Sequence, residues 1–401
     1  MTKHFDLTDP LLARILGRTR SLFAQDMAAN RQSLNTAISG KRVLVVGAAG
    51  SIGHAFVRQL AGFTPAALHL VDINENSLVE VVRDLRSATE TRLPEDFCTV
   101  SVDFGSEEFL RFAADHGPYD VFINFSAVKH VRSERDVYSL LRMIEVNVAA
   151  LARFLVHPAG KSIGRVFSVS TDKSVRPVNL MGATKNLMEK VLFEQSNTIA
   201  TSARFANVAF SAGSLLEGFE RRLEKGQPLA APSDVRRYFI SHEEAGQLCL
   251  LAAFLGRPGE VFLPRLDPDA DLMKLSDIAV EFLRQQGLEP ILCKTEDEAR
   301  TLRPIPPGFW PCFFSPSDTT GEKAFEEFYR ESDAVDRSRY GFIDTVIEQA
   351  PPPGAIAGFL AEITALRQSP DWRKEAVVDA VRKAVPELAH AEANKSLEQK
   401  M

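Results

Sequence analysis

Cysteine is scarce in this 401-residue chain, which contains only four. Cys98, Cys249, Cys293 and Cys312 lie far apart, without the spacing of a zinc site or of a redox pair. This pattern argues against both a metal centre and a disulfide framework. It predicts four free thiols in a reducing compartment.

The sequence also lacks a long hydrophobic run. The longest uninterrupted apolar stretch, Leu248 to Leu255, is far too short to cross a bilayer. The first ten residues, MTKHFDLTDP, carry acids and a proline where a signal peptide needs an apolar segment. We therefore expect a cytoplasmic protein with no membrane partner.

A basic excess is missing as well. The formal net charge is -6, so the overall balance does not favour a nucleic-acid or anionic-membrane partner, although a local basic pocket remains open. Hydrophobic residues make up 45% of the chain and charged residues 25%. These proportions predict an ordinary globular protein with a sizeable core.

What is present is an alternation of short apolar strands and amphipathic helices that begins at Arg42. The strand segments read RVLVVG, ALHLVDI, FCTVSVDF, YDVFINFSA and RVFSVST. Parallel strands need crossover helices on both faces, so this pattern predicts an α/β fold with a doubly wound parallel sheet, a Rossmann domain, over residues 41–210.

The remaining segments divide around that domain. Residues 1–40 predict an N-terminal helical arm, and residues 211–350 predict a smaller mixed α/β substrate-binding region that can interleave with the first domain. Helical spacing within the smaller region covers 217–225, 243–255 and 273–287. Residues 351–401 form a C-terminal tail, strongly charged from Asp371 onwards, which we interpret as a solvated or frayed terminal helix.

A glycine loop follows the first strand and opens a helix. Its glycines stand at Gly47, Gly50 and Gly53, a spacing that allows a tight turn and lets the backbone approach a pyrophosphate. A dinucleotide is the natural ligand of such a loop. Its expected cofactor-binding residues include the intervening Ala49, Ser51 and Ile52.

Asp72 ends the second strand, where a carboxylate accepts hydrogen bonds from the adenosine ribose. No Lys or Arg follows in the segment INENS, which contains Asn74, so NAD is favoured over NADP. Asp103 and Phe104 close the third strand beside the expected adenine. A plain strand-end acid is the competing interpretation of Asp103.

Longer motifs make the pattern specific. The segments SAVKHV (126–131), STDKSVRPVNLMGATK (170–185), RFANVAFSAGSLL (204–216) and RRYFIS (236–241) resemble the extended short-chain dehydrogenase/reductase family. Within it they resemble the polysaccharide-biosynthesis branch that contains UDP-N-acetylglucosamine 4,6-dehydratases. The stretch WPCFFSPSDTTGEKAFEEFY (310–329) is similar to soluble dehydratases linked to legionaminic-acid-type sugars.

Two residues depart from the family pattern. Met181 stands where the family has a tyrosine four residues before Lys185, and a thioether has no proton to exchange. The same replacement is a known variation within the dehydratase branch. Ala206 replaces a glycine found in many relatives and is expected to reshape the wall of the sugar-nucleotide site.

The resemblance implies a nucleotide-sugar 4,6-dehydratase that uses bound NAD without net consumption. Thr171 would hydrogen-bond the C4 hydroxyl of the sugar, Asp172 would protonate the departing C6 hydroxyl, and Lys173 would remove the C5 proton. Asp172 would then start protonated and Lys173 neutral, which a mutual salt bridge opposes. Met181 packs in the site, and Lys185 would hold the nicotinamide ribose.

The resemblance also implies further contacts. Asn147 would support the active-site backbone, and His130 is as readily a backbone-bonded histidine as a sugar contact. Arg237 would bind phosphate through its guanidinium fork. Further expected cofactor contacts are Ser126, Ala127 and Lys129, and further substrate contacts are Lys129, Asn207 and Ser214.

Other interpretations stay open at this point. A nucleotide-sugar 4-epimerase would share the fold, the cofactor and the first hydride transfer, and a non-catalytic NAD-binding protein would explain Met181. Asp172 and Lys173 favour the dehydratase, because an epimerase needs no acid at C6. We also expect a homo-oligomer, at least a dimer, joined through helices of the Rossmann domain or through the N-terminal arm.

Overall fold

The computed structural model describes residues 7–195, 197–317 and 326–390. Its strands are β1 (Arg42–Val46), β2 (Ala67–Asp72), β3 (Asp96–Ser101), β4 (Val121–Asn124), β5 (Arg165–Val169), β6 (Ile199–Ala203), β7 (Asn207–Val208), β8 (Leu229–Pro232), β9 (Arg236–Ile240), β10 (Glu260–Pro264), β11 (Leu272–Lys274), β12 (Glu289–Cys293), β13 (Phe309–Ser315) and β14 (Ile343–Ile347).

The α-helices flank these strands. They are α1 (Pro10–Leu16), α2 (Ala24–Ile38), α3 (Ser51–Leu60), α4 (Glu75–Ser87), α5 (Glu107–His116), α6 (Val137–Ile144), α7 (Ala150–Val156), α8 (Pro158–Lys161), α9 (Leu180–Phe193), α10 (Leu215–Glu224), α11 (His242–Leu255), α12 (Leu275–Gln285), α13 (Glu296–Thr301), α14 (Ala355–Gln368) and α15 (Lys374–Ala384).

An eight-stranded sheet in the order β14-β10-β6-β5-β4-β1-β2-β3 forms the centre of the molecule. Neighbouring strands are parallel except for β10 and β14. Central strands such as β4 and β10 are buried along their whole length, as a sheet covered on both faces requires. The predicted doubly wound fold is confirmed, and the strand order reverses between β1 and β4, where ligands of such sheets bind.

Residues beyond 210 contribute to this sheet as well as to two smaller ones. Strands β10 and β14 extend the central sheet, while β11-β9-β7 and β12-β13-β8 form separate three-stranded sheets. Helices α10 and α12 pack on the second of these small sheets around the buried residues Phe219 and Phe282. The two smaller sheets are therefore built from strands β7 to β9 and β11 to β13, all of which follow β6 in the chain.

The N-terminal segment forms two helices that pack into the fold. Asp9 caps α1 by accepting hydrogen bonds from two backbone N–H groups, and Gly17 ends it in the left-handed conformation at φ +66°. On α2, Asp26 accepts hydrogen bonds from the N–H groups of Gly341 at 2.7 Å and Phe342 at 2.9 Å. The apolar side of this segment is therefore covered by its own chain.

The expectation of a solvated or frayed C-terminal helix is wrong for the described part of the tail. Helix α15 buries Val377, Val378 and Val381 in the same apolar cluster as α9, and α14 adds Phe359 and Ile363. The charged residues of α15 lie on its opposite face, so a high charge content did not indicate exposure. Residues 1–6 and 391–401, also assigned to the predicted arm and tail, lie outside the described residues.

All four cysteines are free thiols, and three of them are buried. Within the described residues, no helix combines the length and the hydrophobicity that a membrane span requires.

Candidate active site

A groove runs along the carboxyl edge of the central sheet at the β1–β4 reversal. Most of the predicted cofactor residues line it, and they come from the ends of four strands. These lining residues are Gly47, Ala49, Gly50, Ser51, Asp72, Asn74, Asp103, Phe104, Ser126 and Ala127.

The amino end of α3 faces this groove. Gly50 caps the helix without a side-chain hydrogen bond, so the first N–H groups are left for an anionic ligand. Gly47 has φ +69°, and a Cβ there would lie 2.5 Å from the backbone nitrogen of Ser126. A Cβ on Gly53 would lie 2.1 Å from the carbonyl oxygen of Gly47. These glycines therefore permit the close backbone packing that a pyrophosphate cradle needs, and Ile52 packs against the core beneath it.

Asp72 is fixed at the end of β2 by two backbone donors. Its Oδ2 accepts from the N–H of Ala49 at 3.0 Å, and its Oδ1 accepts from the N–H of Asn74 at 2.9 Å. Asn74 in turn caps α4 by accepting from the N–H of Ser77. A carboxylate held in this way suits the two hydroxyls of a ribose better than a 2′-phosphate.

Asp103 is paired with an arginine that the sequence interpretation did not single out. Arg142 donates to its Oδ2 at 2.7 Å, and the N–H of Gly105 donates to its Oδ1 at 2.8 Å. Burial alone would raise the pKa of Asp103, but these two donors lower it. Phe104 lines the groove while its ring packs against Phe109 in the core.

Two histidines also line the groove without having been predicted. His54 on α3 bonds Asp84 at 2.9 Å, and His242 is the first residue of α11. His242 directly follows the RRYFIS motif, so its position beside a matched motif was a usable signal. His54 and Arg142 carry no such signal in the sequence.

The predicted catalytic turn directly follows β5. Lys173 Nζ lies 3.1 Å and 3.3 Å from the two carboxylate oxygens of Asp172, and Thr171 Oγ1 donates to Asp172 Oδ1 at 2.8 Å. Asp172 is only 3% exposed, whereas the Lys173 side chain is one-third exposed. The structure therefore brings Thr171, Asp172 and Lys173 together, with the acid and the base joined in the salt bridge that opposes their proposed starting states.

A buried ionic network holds this turn from behind. Ser174 Oγ lies 2.8 Å from the carbonyl oxygen of Thr171 and 2.9 Å from Glu189 Oε1, so its single proton is shared between these two acceptors. Glu189 on α9 is held by both arms of Arg204, at 2.8 Å and 2.6 Å, and Arg204 also reaches Glu348 at 2.6 Å. Arg204 is fully buried, so the paired carboxylates are what make its charge tolerable there.

Met181 and Lys185 lie one turn apart on α9, and both are buried. The N–H of Met181 donates to Glu134 Oε1 at 2.7 Å, and burial raises the pKa of Glu134. Burial lowers the pKa of Lys185 to about 8, against the opposing effect of the Glu189 carboxylate. Near neutral pH Lys185 is thus a cation that pays a desolvation penalty. Hydrogen bonding to an anionic or hydroxyl-bearing ligand would offset that penalty.

Asn147 braces the loop that follows β4. It accepts from the N–H of Val128 at 2.8 Å and donates to the carbonyl oxygen of Val128 at 3.0 Å, within a π-helical turn. Lys129 and His130 come next in this loop. The His130 ring packs so closely on Gly213 that a Cβ there would lie 2.6 Å from it.

The predicted diphosphate residues meet an unpredicted carboxylate. Asn207 Nδ2 donates to Glu326 Oε1 at 2.8 Å, and Arg237 Nε lies 3.6 Å from the same oxygen. Ser214 instead caps α10 by accepting from the N–H of Glu217 at 3.2 Å. Among the proposed substrate contacts, Asn207 and Arg237 are therefore brought together.

Glu326 also lies near Asp172 and Lys173, the predicted acid and base. Burial raises its pKa to about 7, the charge of Asp172 adds to the rise, and Arg237 and Lys173 oppose it. Glu326 lies in the stretch 310–329, but no motif in the sequence marks it as a site residue. The proposed sugar site is therefore bordered by two carboxylates, Asp172 and Glu326, and by the ammonium group of Lys173.

Comparison with known proteins gives one family. A sequence profile described as polysaccharide biosynthesis protein matches residues 43–308. The uncharacterized membrane protein MJ1061 of Methanocaldococcus jannaschii is 30% identical over 65% of this chain and 77% of its own length. The UDP-N-acetylglucosamine 4,6-dehydratase (inverting) of Campylobacter jejuni serotype O:23/36 is 26% identical over 60% of this chain and 70% of its own.

Another relative is named for a different activity. The UDP-glucose 4-epimerase of Rickettsia typhi is 26% identical over 56% of this chain and 66% of its own. The chain spans about half the length of two further curated relatives.

Solved structures agree on the fold. Pen from Bacillus thuringiensis superposes with a TM-score of 0.61 at 18% identity, covering 79% of this chain and 91% of its own. WbmG from Bordetella bronchiseptica, crystallised with NAD, has a TM-score of 0.54 at 15% identity and covers 88% and 98%. With the profile spanning most of the central sheet, this chain belongs to the polysaccharide biosynthesis family of extended short-chain dehydrogenases/reductases.

Proposed function

We propose that this protein is a nucleotide-sugar 4,6-dehydratase that acts on UDP-N-acetylglucosamine or GDP-N-acetylglucosamine with NAD as a resident cofactor. The Thr171–Asp172–Lys173 cluster beside the sheet reversal carries the proposal, because it supplies both an acid and a base. When bound, NAD would accept hydride from C4 of the sugar and return it to C6.

Thr171 would orient the C4 hydroxyl. Its Oγ1 accepts weakly from the N–H of Lys173 at 3.5 Å and donates to Asp172 at 2.8 Å, so a lone pair remains to accept a hydrogen bond from the C4 hydroxyl, whose proton would be relayed to solvent as the hydride leaves. Met181 is buried on α9 and would contribute packing only, since its thioether cannot act as the base that a tyrosine provides.

The Asp172–Lys173 salt bridge is one proton transfer away from the reactive state. Moving a proton from Lys173 Nζ to Asp172 Oδ1 along their 3.1 Å contact yields a carboxylic acid and a neutral amine. The pair's net charge does not change in this transfer. Asp172 can then protonate the C6 hydroxyl while Lys173 removes the C5 proton.

Asn207 and Arg237 would bind the diphosphate of the substrate. In the structure the polar groups of Asn207 and Arg237 face Glu326. The Glu326 carboxyl group therefore occupies the position that a phosphate of the substrate would take. Binding would therefore require Glu326 to be neutral or to be displaced.

A 4-epimerase is the second candidate, favoured by the similarity to the UDP-glucose 4-epimerase of Rickettsia typhi. It would use the same hydride transfer at C4 without elimination. The two activities differ in mass balance, since only the dehydratase loses water.

The deciding experiment incubates the purified protein separately with UDP- and GDP-N-acetylglucosamine and follows the products by mass spectrometry. We expect one of them to lose a single water. In heavy water the product should carry one deuterium at C5, whereas hydrogen at C6 should derive from C4 of the same molecule. Isomerisation without loss of water would support the epimerase, and neither change with either sugar would contradict the proposed substrate class.

A further inference from the structure

A second cavity, of about 800 Å³, lies where the end of α10 and the start of β8 meet α13. It shares no lining residue with the dinucleotide groove. Its described lining is dominated by cationic side chains that are distant in sequence: Arg132, Arg221, Arg222, Lys225, Arg300 and Arg303.

Carboxylates neutralise only part of this charge. Glu217 pairs with Arg221 at 2.8 Å, and Glu296 pairs with Arg300. In the described part of the chain, no carboxylate lies within ion-pair distance of Arg132, Lys225 or Arg303. Six cations and two carboxylates leave a net positive charge of four around one concavity, in a protein whose overall formal charge is -6.

We propose that this basic pocket binds a small polyphosphate, namely the triphosphate group of a nucleotide or a free inorganic tripolyphosphate. Its net charge matches that of an ionised triphosphate, and guanidinium groups bind phosphate oxygens through paired hydrogen bonds. The volume falls in the range of small-ligand pockets. The cations surround a concavity instead of forming the extended stripe that tracks a nucleic-acid backbone.

One side chain connects the basic pocket to the proposed active site. Glu217 Oε1 accepts from Arg221 at 2.8 Å, while its Oε2 accepts from the N–H of Gly213 at 2.7 Å. Gly213 packs on the His130 ring. A phosphate that draws Arg221 away from Glu217 would loosen the hydrogen bond that holds Gly213 against His130, so occupancy of the basic pocket should alter turnover. The expected effect on turnover rests on the proposed function, whereas the expected binding of polyphosphate does not.

The test is calorimetric titration of the full-length protein with sodium tripolyphosphate, ATP and UTP. We expect saturable binding with one site per chain. Removal of two cations in the double variant Lys225→Gln/Arg303→Gln should weaken it roughly tenfold or more, since each supplies a charge-assisted hydrogen bond. The matched control Arg284→Gln/Lys294→Gln removes two exposed cations of the same region outside the pocket and should leave the affinity unchanged.

The three titrants separate the two sources of phosphate. Equal affinities identify the phosphate chain alone as the ligand, and tighter binding of one nucleotide identifies a nucleotide site; both support the pocket. Binding should persist with saturating NAD and UDP-N-acetylglucosamine present, and thermal unfolding of both double variants should match that of the unmodified protein.

Several different results would overturn the proposal. Equal weakening of triphosphate binding in both double variants would indicate diffuse surface electrostatics. Competition between the triphosphate and UDP-N-acetylglucosamine would assign the cations to the substrate site. Tighter binding of single-stranded RNA than of any triphosphate would identify a nucleic-acid site instead. Absence of saturable binding would overturn it as well. A change in turnover without binding would contradict the polyphosphate assignment, whereas binding without a change in turnover would leave the site standing and reject only the link through Glu217.

Discussion

Asp172 and Lys173 share a single proton in the proposed mechanism, so each should be indispensable. Asp172→Asn and Lys173→Met should each reduce dehydration by roughly 10²–10⁴-fold, the usual contribution of general acid–base catalysis. NAD binding should survive, because neither residue lines the dinucleotide groove. Steady-state turnover and NAD titration measure the two properties.

Met181→Ala is the comparison for these variants. Met181 is buried in the same helix as Lys185 and contributes packing without a proton, so its truncation should cost much less activity. Near-normal turnover in both Asp172→Asn and Lys173→Met would contradict the proposed dehydratase mechanism and favour the epimerase.

Glu326 should make substrate binding depend on pH. Its pKa is raised to about 7, so it is neutral below that pH and a carboxylate above it. A carboxylate beside Asn207 and Arg237 repels a diphosphate, and binding of UDP-N-acetylglucosamine should weaken as the pH rises through 7, by at most about tenfold per pH unit.

Glu326→Gln should remove this dependence and bind more tightly at pH 8. Glu327→Gln, one position along, keeps the carboxylate at Glu326 and should retain the slope. Calorimetry between pH 6 and 8 gives the comparison, and an unchanged slope in Glu326→Gln would assign the titration to another group.

Asp72 should set the preference for NAD over NADP. Its carboxylate is held at the end of β2 by two backbone N–H groups, so it cannot swing away from a 2′-phosphate without losing them. Asp72→Ala should narrow the ratio of the two dissociation constants, measured by titration with each dinucleotide. Tighter binding of NADP by the unmodified protein would refute the assignment.

Among the elements, α15 is expected to stabilise the central domain. Val381 is fully buried against the α9 side of the sheet. Val381→Ala should lower the free energy of unfolding by about 2 kcal/mol through lost burial and a residual cavity. Asp379→Ala removes an exposed side chain from the same helix and should stay within about 0.5 kcal/mol of the unmodified protein in urea unfolding; equal effects would mean that α15 does not pack as described.

The elements show what sequence can and cannot specify here. Helices expected over 217–225, 243–255 and 273–287 are observed as α10, α11 and α12 within two residues at each end, because their periodicity and caps are local. The burial of α15 was not foreseen, since it depends on the apolar face that α9 presents. Glu326 was missed for a related reason: its partner Asn207 lies 119 positions away.

At the scale of the whole molecule, we predict at least a dimer. The N-terminal helices bury their apolar residues within their own chain, so the Rossmann helices are the better interface. On α6 the Tyr138 ring is 70% exposed and packs against the partly exposed Trp372. Light scattering should give a dimer or larger species, and Tyr138→Glu should reduce the mass.

Leu292→Glu is the control for that variant. Leu292 is 66% exposed on β12, in a small sheet outside the Rossmann domain, and its replacement should not change the mass. A monomer at micromolar concentration in the unmodified protein would contradict the prediction.

The ionic network behind the predicted catalytic turn affects when this turn can acquire its final structure during synthesis. Arg204 is paired with Glu189 and also with Glu348, and Glu348 follows the last strand of the central sheet. A chain emerging from the ribosome would have completed β5, the catalytic turn and α9 well before that carboxylate appears. During synthesis the network behind this turn therefore lacks one of its two carboxylates, and we expect the turn to reach its final arrangement late, after nearly 350 residues have been translated.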